Sequence, residues 1–185
     1  MKKIIYVTGN EFKVLTASKI LNPLGYQVEA KKIDCPEIQA DTIEEVAEYS
    51  SKYASDFLQE STLKNDSGLI IPTLKGFPGV YSKYVESTVG EEGILKLMLG
   101  VEDREAYLLE VLAYTEKGKD PVTFLSKTEG SISTELSGDF GWGYDKIFIP
   151  KGEKQTLANF EDDVRWKFWN ENAYKDLVGY LSGSV

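Results

Sequence analysis

The feature that most constrains this chain is the short apolar run Ile4-Ile5-Tyr6-Val7, closed by Thr8-Gly9-Asn10 and followed at once by a helical pattern. A four-residue apolar run bounded by turn chemistry is too short for a helix and does not alternate, which is the signature of a buried strand. Glu11 to Leu21 then carries Val14, Leu15, Ile20 and Leu21 as an apolar stripe and is expected to be a helix, ended by Pro23 and Gly25. Tyr26 to Ile33 is expected to be a second strand. Thr42 opens a second helix running to about Leu58, with Glu45 at the spacing of a capping box. The chain thus begins β-α-β-α.

Further on, Leu69-Ile70-Ile71 forms a strand core, with Asp66-Ser67-Gly68 as turn residues before it and Pro72 after. Phe77 to Tyr84 is expected to be a turn opening into a short aromatic-rich helix, with Lys83 on the surface and Tyr84 packed inward. Gly90 to Leu99 is expected to be helical. Ala106 to Thr115 and Val122 to Ser133 are long β segments that can pair across Glu116-Lys117-Gly118-Lys119. Ile147-Phe148-Ile149 makes a short strand, and Val164 to Leu181 a closing helix. The order predicts a single mixed α/β domain over residues 1–185 with a long central sheet.

Composition narrows the chemistry. Lys and Arg number 21 against 30 Asp and Glu, a formal charge of −9, which disfavours gripping a nucleic-acid polymer through its phosphates. Histidine is absent, so histidine-based triads, bases and metal sites are excluded. The single Cys35 makes no internal disulfide and is expected to be a small buried residue. The apolar part of the N-terminus is too short for a signal peptide, and no apolar run approaches the ~20 residues of a membrane span, so a cytoplasmic location without membrane partners is expected.

Three constellations remain. Thr8-Gly9-Asn10 with Lys13 lies where a strand meets a helix, a place whose free amides and partial positive charge suit phosphate. The full P-loop pattern is missing, and an ordinary helix cap with a surface lysine would look the same. Glu37, after Pro36, and Asn65-Asp66-Ser67-Gly68-Leu69 offer carboxylates from separate loops; two such groups can hold Mg²⁺ with waters left on the ion, and one can orient or deprotonate an attacking water. In so acidic a chain any one of them can equally be a solvated surface charge. Lastly, Phe140-Gly141-Trp142-Gly143-Tyr144-Asp145 alternates glycine with aromatics. It fits either a ligand wall with stacking faces, worth on the order of 1–3 kcal/mol per base, or a tight turn packed into the core.

In register, these pieces resemble the Ham1 family of inosine triphosphate pyrophosphatases. The segments that carry the resemblance are Thr8-Gly9-Asn10 with Lys13, Asp66-Ser67-Gly68-Leu69, Pro78-Gly79-Val80-Tyr81-Ser82, Gly141-Trp142-Gly143-Tyr144-Asp145 and Thr156-Leu157-Ala158. The resemblance implies an elongated mixed sheet with helices forming two lobes around a nucleotide cleft, commonly as a homodimer. It implies Mg²⁺-dependent cleavage of a non-standard purine nucleoside triphosphate between the α and β phosphates. By position, Thr8, Gly9, Asn10 and Lys13 would hold phosphates, Glu37 would bind the metal, and Asp66 would activate water and contact the metal. Ser67 and Gly68 would line the phosphate end, while Trp142, Gly143, Tyr144 and Asp145 would form the base wall.

The chain departs from the family pattern in several places. The first of two acids before Ser-Gly-Leu is Asn65; a lysine in the second helix falls at Ser50, with Lys52 on another face; the acid after Thr-x-Ala is Asn159. The Ser-His-Arg triplet that reads the purine edge falls on Trp169-Asn170-Glu171, and its upstream lysine on Arg165. An ionised Glu171 only accepts hydrogen bonds and Asn170 does either. The implied expectation is a base preference shifted from inosine or xanthosine toward a purine presenting an amino group. Alternatives are a family member that reads the base with other residues, with Trp169 packed and Asn170 and Glu171 at the surface, and a nucleotide-binding protein that has lost catalysis.

Overall fold

A computed structural model of the chain describes residues 2–36, 38–168 and 172–183. The elements are β1 (Lys2–Val7), α1 (Glu11–Leu21), β2 (Tyr26–Lys31), α2 (Ile43–Leu58), β3 (Thr62–Ile70), α3 (Ser82–Thr88), α4 (Gly90–Leu97), β4 (Glu105–Thr115), β5 (Pro121–Ile132), β6 (Phe148–Pro150), α5 (Asp162–Arg165) and α6 (Asn172–Leu181). Six strands form one sheet in the order β2-β1-β3-β4-β5-β6. It is mixed: β1 runs parallel to β2 and β3, whereas β5 and β6 are antiparallel. The chain divides into two compact units. The first comprises Met1–Asp66, Glu110–Ser126 and Glu171–Val185; the second comprises Ser67–Leu109 and Lys127–Asn170.

In the first unit, Ile4 and Tyr6 of β1 are fully buried with Ala17 and Leu21 of α1, Leu63, Leu112 and Leu177. Burying a leucine or isoleucine side chain is worth roughly 1.5–3 kcal/mol, so this one cluster accounts for much of the drive to form β1 and α1. Helix α2 begins on the expected capping box, with Thr42 Oγ1 accepting from Glu45 N–H and the Glu45 carboxylate accepting from Thr42 N–H. Its buried face is built of small residues, Ala47, Ser50, Ser51, Ala54 and Ser55. The Ser51 hydroxyl lies 2.8 Å from Thr115 Oγ1 and donates to the Ala113 carbonyl at 3.1 Å, so hydroxyls are buried with their bonds made. Cys35 is half-buried beside Ile5, Val7 and Ala54, and burial raises its thiol pKa.

The second unit closes around Leu69, Ile71, Val85, Ile94, Met98, Ile132, Tyr144, Ile147 and Phe148. Arg104 ties its parts together by donating to the Met98 carbonyl at the end of α4 and to the carbonyls of Ile132 and Ser133. A cation at a helix C-terminus is also favoured by the helix dipole. Ser82 opens α3: its hydroxyl donates to the Gly79 carbonyl at 2.6 Å and accepts the buried Leu69 N–H at 2.9 Å.

Several expectations need correction. β2 stops at Lys31 rather than Ile33, because Lys31 pairs with Val7 and β1 ends there. Asn65-Asp66-Ser67-Gly68 is not a turn but the middle of β3; the buried Asn65 side chain has polar partners there, so strand alternation survives a polar sequence. α4 ends at Leu97. The closing helix is broken. α5 ends at Arg165 and residues 166–168 form a 3₁₀ turn. Thr128 donates to the Phe168 carbonyl, and Ser126 accepts the Ala173 N–H at the start of α6, so hydroxyls of β5 take bonds that a continuous helix would make for itself. Tyr84 is 69% exposed, since Ser82 and Val85 occupy the buried face of α3; Lys83 is on the surface as expected. Among the described residues no helix is long and apolar enough to cross a membrane.

Candidate active site

In the first unit, the loop between β1 and α1 is organised by its own polar side chains. Thr8 Oγ1 accepts from Asn10 N–H at 3.0 Å, and Asn10 Oδ1 accepts from Lys13 N–H at 3.3 Å, the geometry of a helix cap. Lys13 stands in the first turn of α1, and its ammonium donates to Asn65 Oδ1 on β3. Asn65 Nδ2 in turn donates to Glu110 Oε1 on β4 at 2.6 Å. Asp66, half-buried, follows Asn65 in the strand and lies within electrostatic reach of Lys13.

Burial lowers the pKa of Lys13, against the pull of Glu110 and Asp66, and the nearby Lys64 lowers it further. Burial likewise raises Glu110, against Lys13 and the Asn65 amide. Tyr6 and Tyr174 meet hydroxyl to hydroxyl at 3.3 Å; burial raises both phenols, and the Glu110 charge adds to it. The result is a polar cluster of Lys13, Asn65, Asp66 and Glu110 beside the apolar core of the first unit.

Glu110 is not among the residues the sequence singles out. The signal that could have found it is that it is the only charged residue between Ala106 and Thr115. A charge inside a buried strand needs a partner.

In the second unit, the glycine–aromatic stretch is a turn built around Asp145. Asp145 Oδ2 accepts the Trp142 N–H at 3.1 Å and lies 3.5 Å from Arg165 Nε. Gly141 has φ +83°, and a Cβ there would fall 2.0 Å from that same oxygen, so only glycine admits the carboxylate. Arg165 is 2% exposed; Nη2 bonds Asp162 at 2.6 Å, its guanidinium lies 4.9 Å from the Trp142 ring centre, and among the described residues Nη1 has no hydrogen-bond partner. The Asp145 carboxyl is raised by burial, against the Trp142 amide and Arg165.

The aromatics of this stretch differ in exposure. Trp142 is 55% exposed, as a stacking face must be. Tyr144 is a core residue whose hydroxyl donates to the Ser82 carbonyl at 2.7 Å. Ala158 N–H donates to the Asp145 carbonyl, and Asn159 bonds Thr156 and Ser137, so Thr156-Leu157-Ala158 braces the turn from behind.

The expected site residues therefore gather in two groups. Thr8, Gly9, Asn10, Lys13 and Asp66 belong to the first unit; Ser67, exposed, and Gly68, buried, continue β3 into the second, which also holds Trp142, Gly143, Tyr144, Asp145 and Arg165. Glu37, Trp169, Asn170 and Glu171 lie outside the described residues. Ser50 is buried, and Lys52 is bonded to Asp56 at 2.7 Å on the outside of α2. Among the described residues no group of three or more His, Cys, Asp or Glu side chains converges on a metal position. Of the two carboxylates expected to hold a metal, Asp66 is among the described residues and Glu37 is not.

The mixed sheet agrees with what the chain is similar to. The Ham1 family model matches residues 4–170, and the chain belongs to that family. It is 46% identical over 184 residues to a protein of Thermococcus kodakarensis named dITP/XTP pyrophosphatase, covering 99% of both chains. It is also 46% identical over 165 residues to one of the same name from Methanopyrus kandleri, covering 89% of this chain and 88% of the other. Among solved structures, the Ham1 protein of Staphylococcus aureus superposes with a TM-score of 0.88 at 25% identity, covering all of both chains.

Proposed function

We propose that this chain is a nucleoside triphosphate pyrophosphatase acting on non-standard purine nucleotides, releasing a nucleoside monophosphate and pyrophosphate. The observation that carries the reading is the Lys13 ammonium, seated in the first turn of α1, hydrogen-bonded to Asn65 and within electrostatic reach of Asp66. A cation that gathers phosphate beside a carboxylate that takes a proton is the minimum that anhydride hydrolysis asks of a site without histidine. The relatives' names support the same activity, and being names of enzymes they favour turnover over binding alone.

In this reading Lys13, with Thr8, Gly9 and Asn10, holds the triphosphate. Asp66 accepts a proton from a water whose oxygen bonds to the α-phosphorus, while the bond from that phosphorus to the bridging oxygen breaks and its electron pair leaves with pyrophosphate. Asp66 and Glu37 would hold a divalent ion, Mg²⁺ for preference, which offsets charge on the phosphates. Trp142 would stack on the base, with Asp145 and Arg165 fixing its ring.

The relatives' names support a deaminated base, whereas Asn170 and Glu171 in place of the family triplet support one bearing an amino group. Pyrophosphate release with Mg²⁺ across inosine, xanthosine, adenosine and modified purine triphosphates, as ribo- and deoxyribonucleotides, separates the two. Asp66→Asn should lower kcat by roughly 10²–10⁴-fold; turnover that survives it removes Asp66 as the base. The same reading carries a homodimer, which sedimentation of the purified chain tests.

A further inference from the structure

Asn65 lies between two groups that leave its amide no choice. An ammonium only donates and a carboxylate only accepts, so with Lys13 on one side and Glu110 on the other, Oδ1 must face the lysine and Nδ2 the glutamate. Take away the acceptor at position 110 and Lys13 alone sets the orientation of the amide, so a turned-over Asn65, its NH₂ facing the ammonium, loses one bond instead of two. Glu110 is therefore coupled to Lys13 through one rigid planar group, within the first unit and without crossing any loop. The carboxylate is partly buried among Tyr6, Tyr174 and the strand, where a charge with no task costs stability.

We propose that Glu110 is a positioning residue for phosphate recognition: its carboxylate fixes the orientation of Asn65, and Asn65 holds the Lys13 ammonium in place for the triphosphate of the substrate. The inference rests on Lys13 being the phosphate ligand of the reading above.

The test is a cycle of variants read by nucleotide turnover and, independently, by calorimetric binding of inorganic pyrophosphate without metal. Glu110→Gln keeps shape but removes the charge and offers an NH₂ as well as an oxygen, so it no longer alone dictates the flip of Asn65; kcat/KM and pyrophosphate affinity should each fall by about 10- to 100-fold, the usual size of such supporting contacts. In a Lys13→Ala background the same change should add less than about twofold, because the residue through which Glu110 acts is gone. Asn65→Asp alone puts two carboxylates together and should also be impaired. The double variant Asn65→Asp/Glu110→Gln moves the charge one residue nearer the lysine, with the amide introduced on β4 donating to the carboxylate introduced on β3. It should recover at least tenfold over Asn65→Asp.

Glu110→Gln within twofold of the wild type, or equally harmful with and without Lys13, overturns the proposal. Should Glu110→Gln fail to fold, the double variant measured against Asn65→Asp carries the test, and no recovery overturns it. A wild-type chain that releases no pyrophosphate from any nucleotide defeats the functional reading instead, and leaves the pyrophosphate-binding comparison to decide on Glu110.

Discussion

Replacing Ser82 by alanine should destabilise the second unit by about 1.5–4.5 kcal/mol, although it removes a single oxygen atom. The hydroxyl accepts the Leu69 N–H at 2.9 Å and donates to the Gly79 carbonyl at 2.6 Å. Leu69 is fully buried, so its amide would be left without partner or water, a loss of roughly 1–3 kcal/mol. The Gly79 carbonyl keeps the Ser82 backbone N–H, so its loss is that of an ordinary bond, about 0.5–1.5 kcal/mol. Ser87→Ala in the same helix is the control: its hydroxyl donates to the Tyr84 carbonyl in an exposed position, and the change should cost less than about 0.5 kcal/mol. Urea denaturation reads both. With a slope of roughly 1–3 kcal/mol per molar, the Ser82→Ala midpoint should fall by about 0.5 M or more while that of Ser87→Ala stays near the wild type. Equal midpoints for the two variants would refute the reasoning, because they would mean that the buried amide finds another partner at no cost.

Two further outcomes follow from the second unit. Gly138→Ala should cost about 2–5 kcal/mol: the residue has φ +87°, and a Cβ there would sit 2.2 Å from the Ala158 carbonyl, which is backbone and has no rotamer to move; a thermal midpoint unchanged from the wild type would contradict this. For Asp145, burial outweighs the Trp142 amide and Arg165 and holds the carboxyl above its ordinary 3.8. The native state therefore binds that proton more tightly than the unfolded one. The group's contribution to stability is full below pH 3.8 and declines as pH rises through the raised value. Asp145→Asn, which keeps an acceptor for the Trp142 N–H, should flatten that part of the profile of urea midpoint against pH, and an identical slope in both proteins would exclude the assignment.

What is legible in the sequence depends on how locally each feature is determined. α1 and α2 are readable because their signals are contiguous: an apolar stripe with its breakers, and the Thr42–Glu45 box, whose two bonds lie within four residues. The Thr8-Gly9-Asn10 loop and the Trp142 turn are readable as motifs for the same reason. The middle of β3 is hidden because Asn65-Asp66-Ser67-Gly68 has turn composition, and the side chains that partner Asn65 there, Lys13 and Glu110, are 52 and 45 residues away. The break after Arg165 depends on hydroxyls of Ser126 and Thr128, which no pattern within the helix reveals. Tyr84 defeats the expectation that an aromatic seeks the core, because two neighbours on the other face of a two-turn helix already fill it.

Trp142 has one further consequence. Its backbone is tied to Asp145, and its ring lies against the guanidinium of a buried arginine that is itself fixed at both ends. An indole on an open turn would lose rotational freedom whenever something planar came to rest on it, at about 0.5–1.5 kcal/mol for a side chain of this kind. Here the arginine contact that restrains the ring is already made in the free protein. If a base stacks there as proposed, a factor of up to roughly tenfold in affinity would come from stillness rather than from an additional contact.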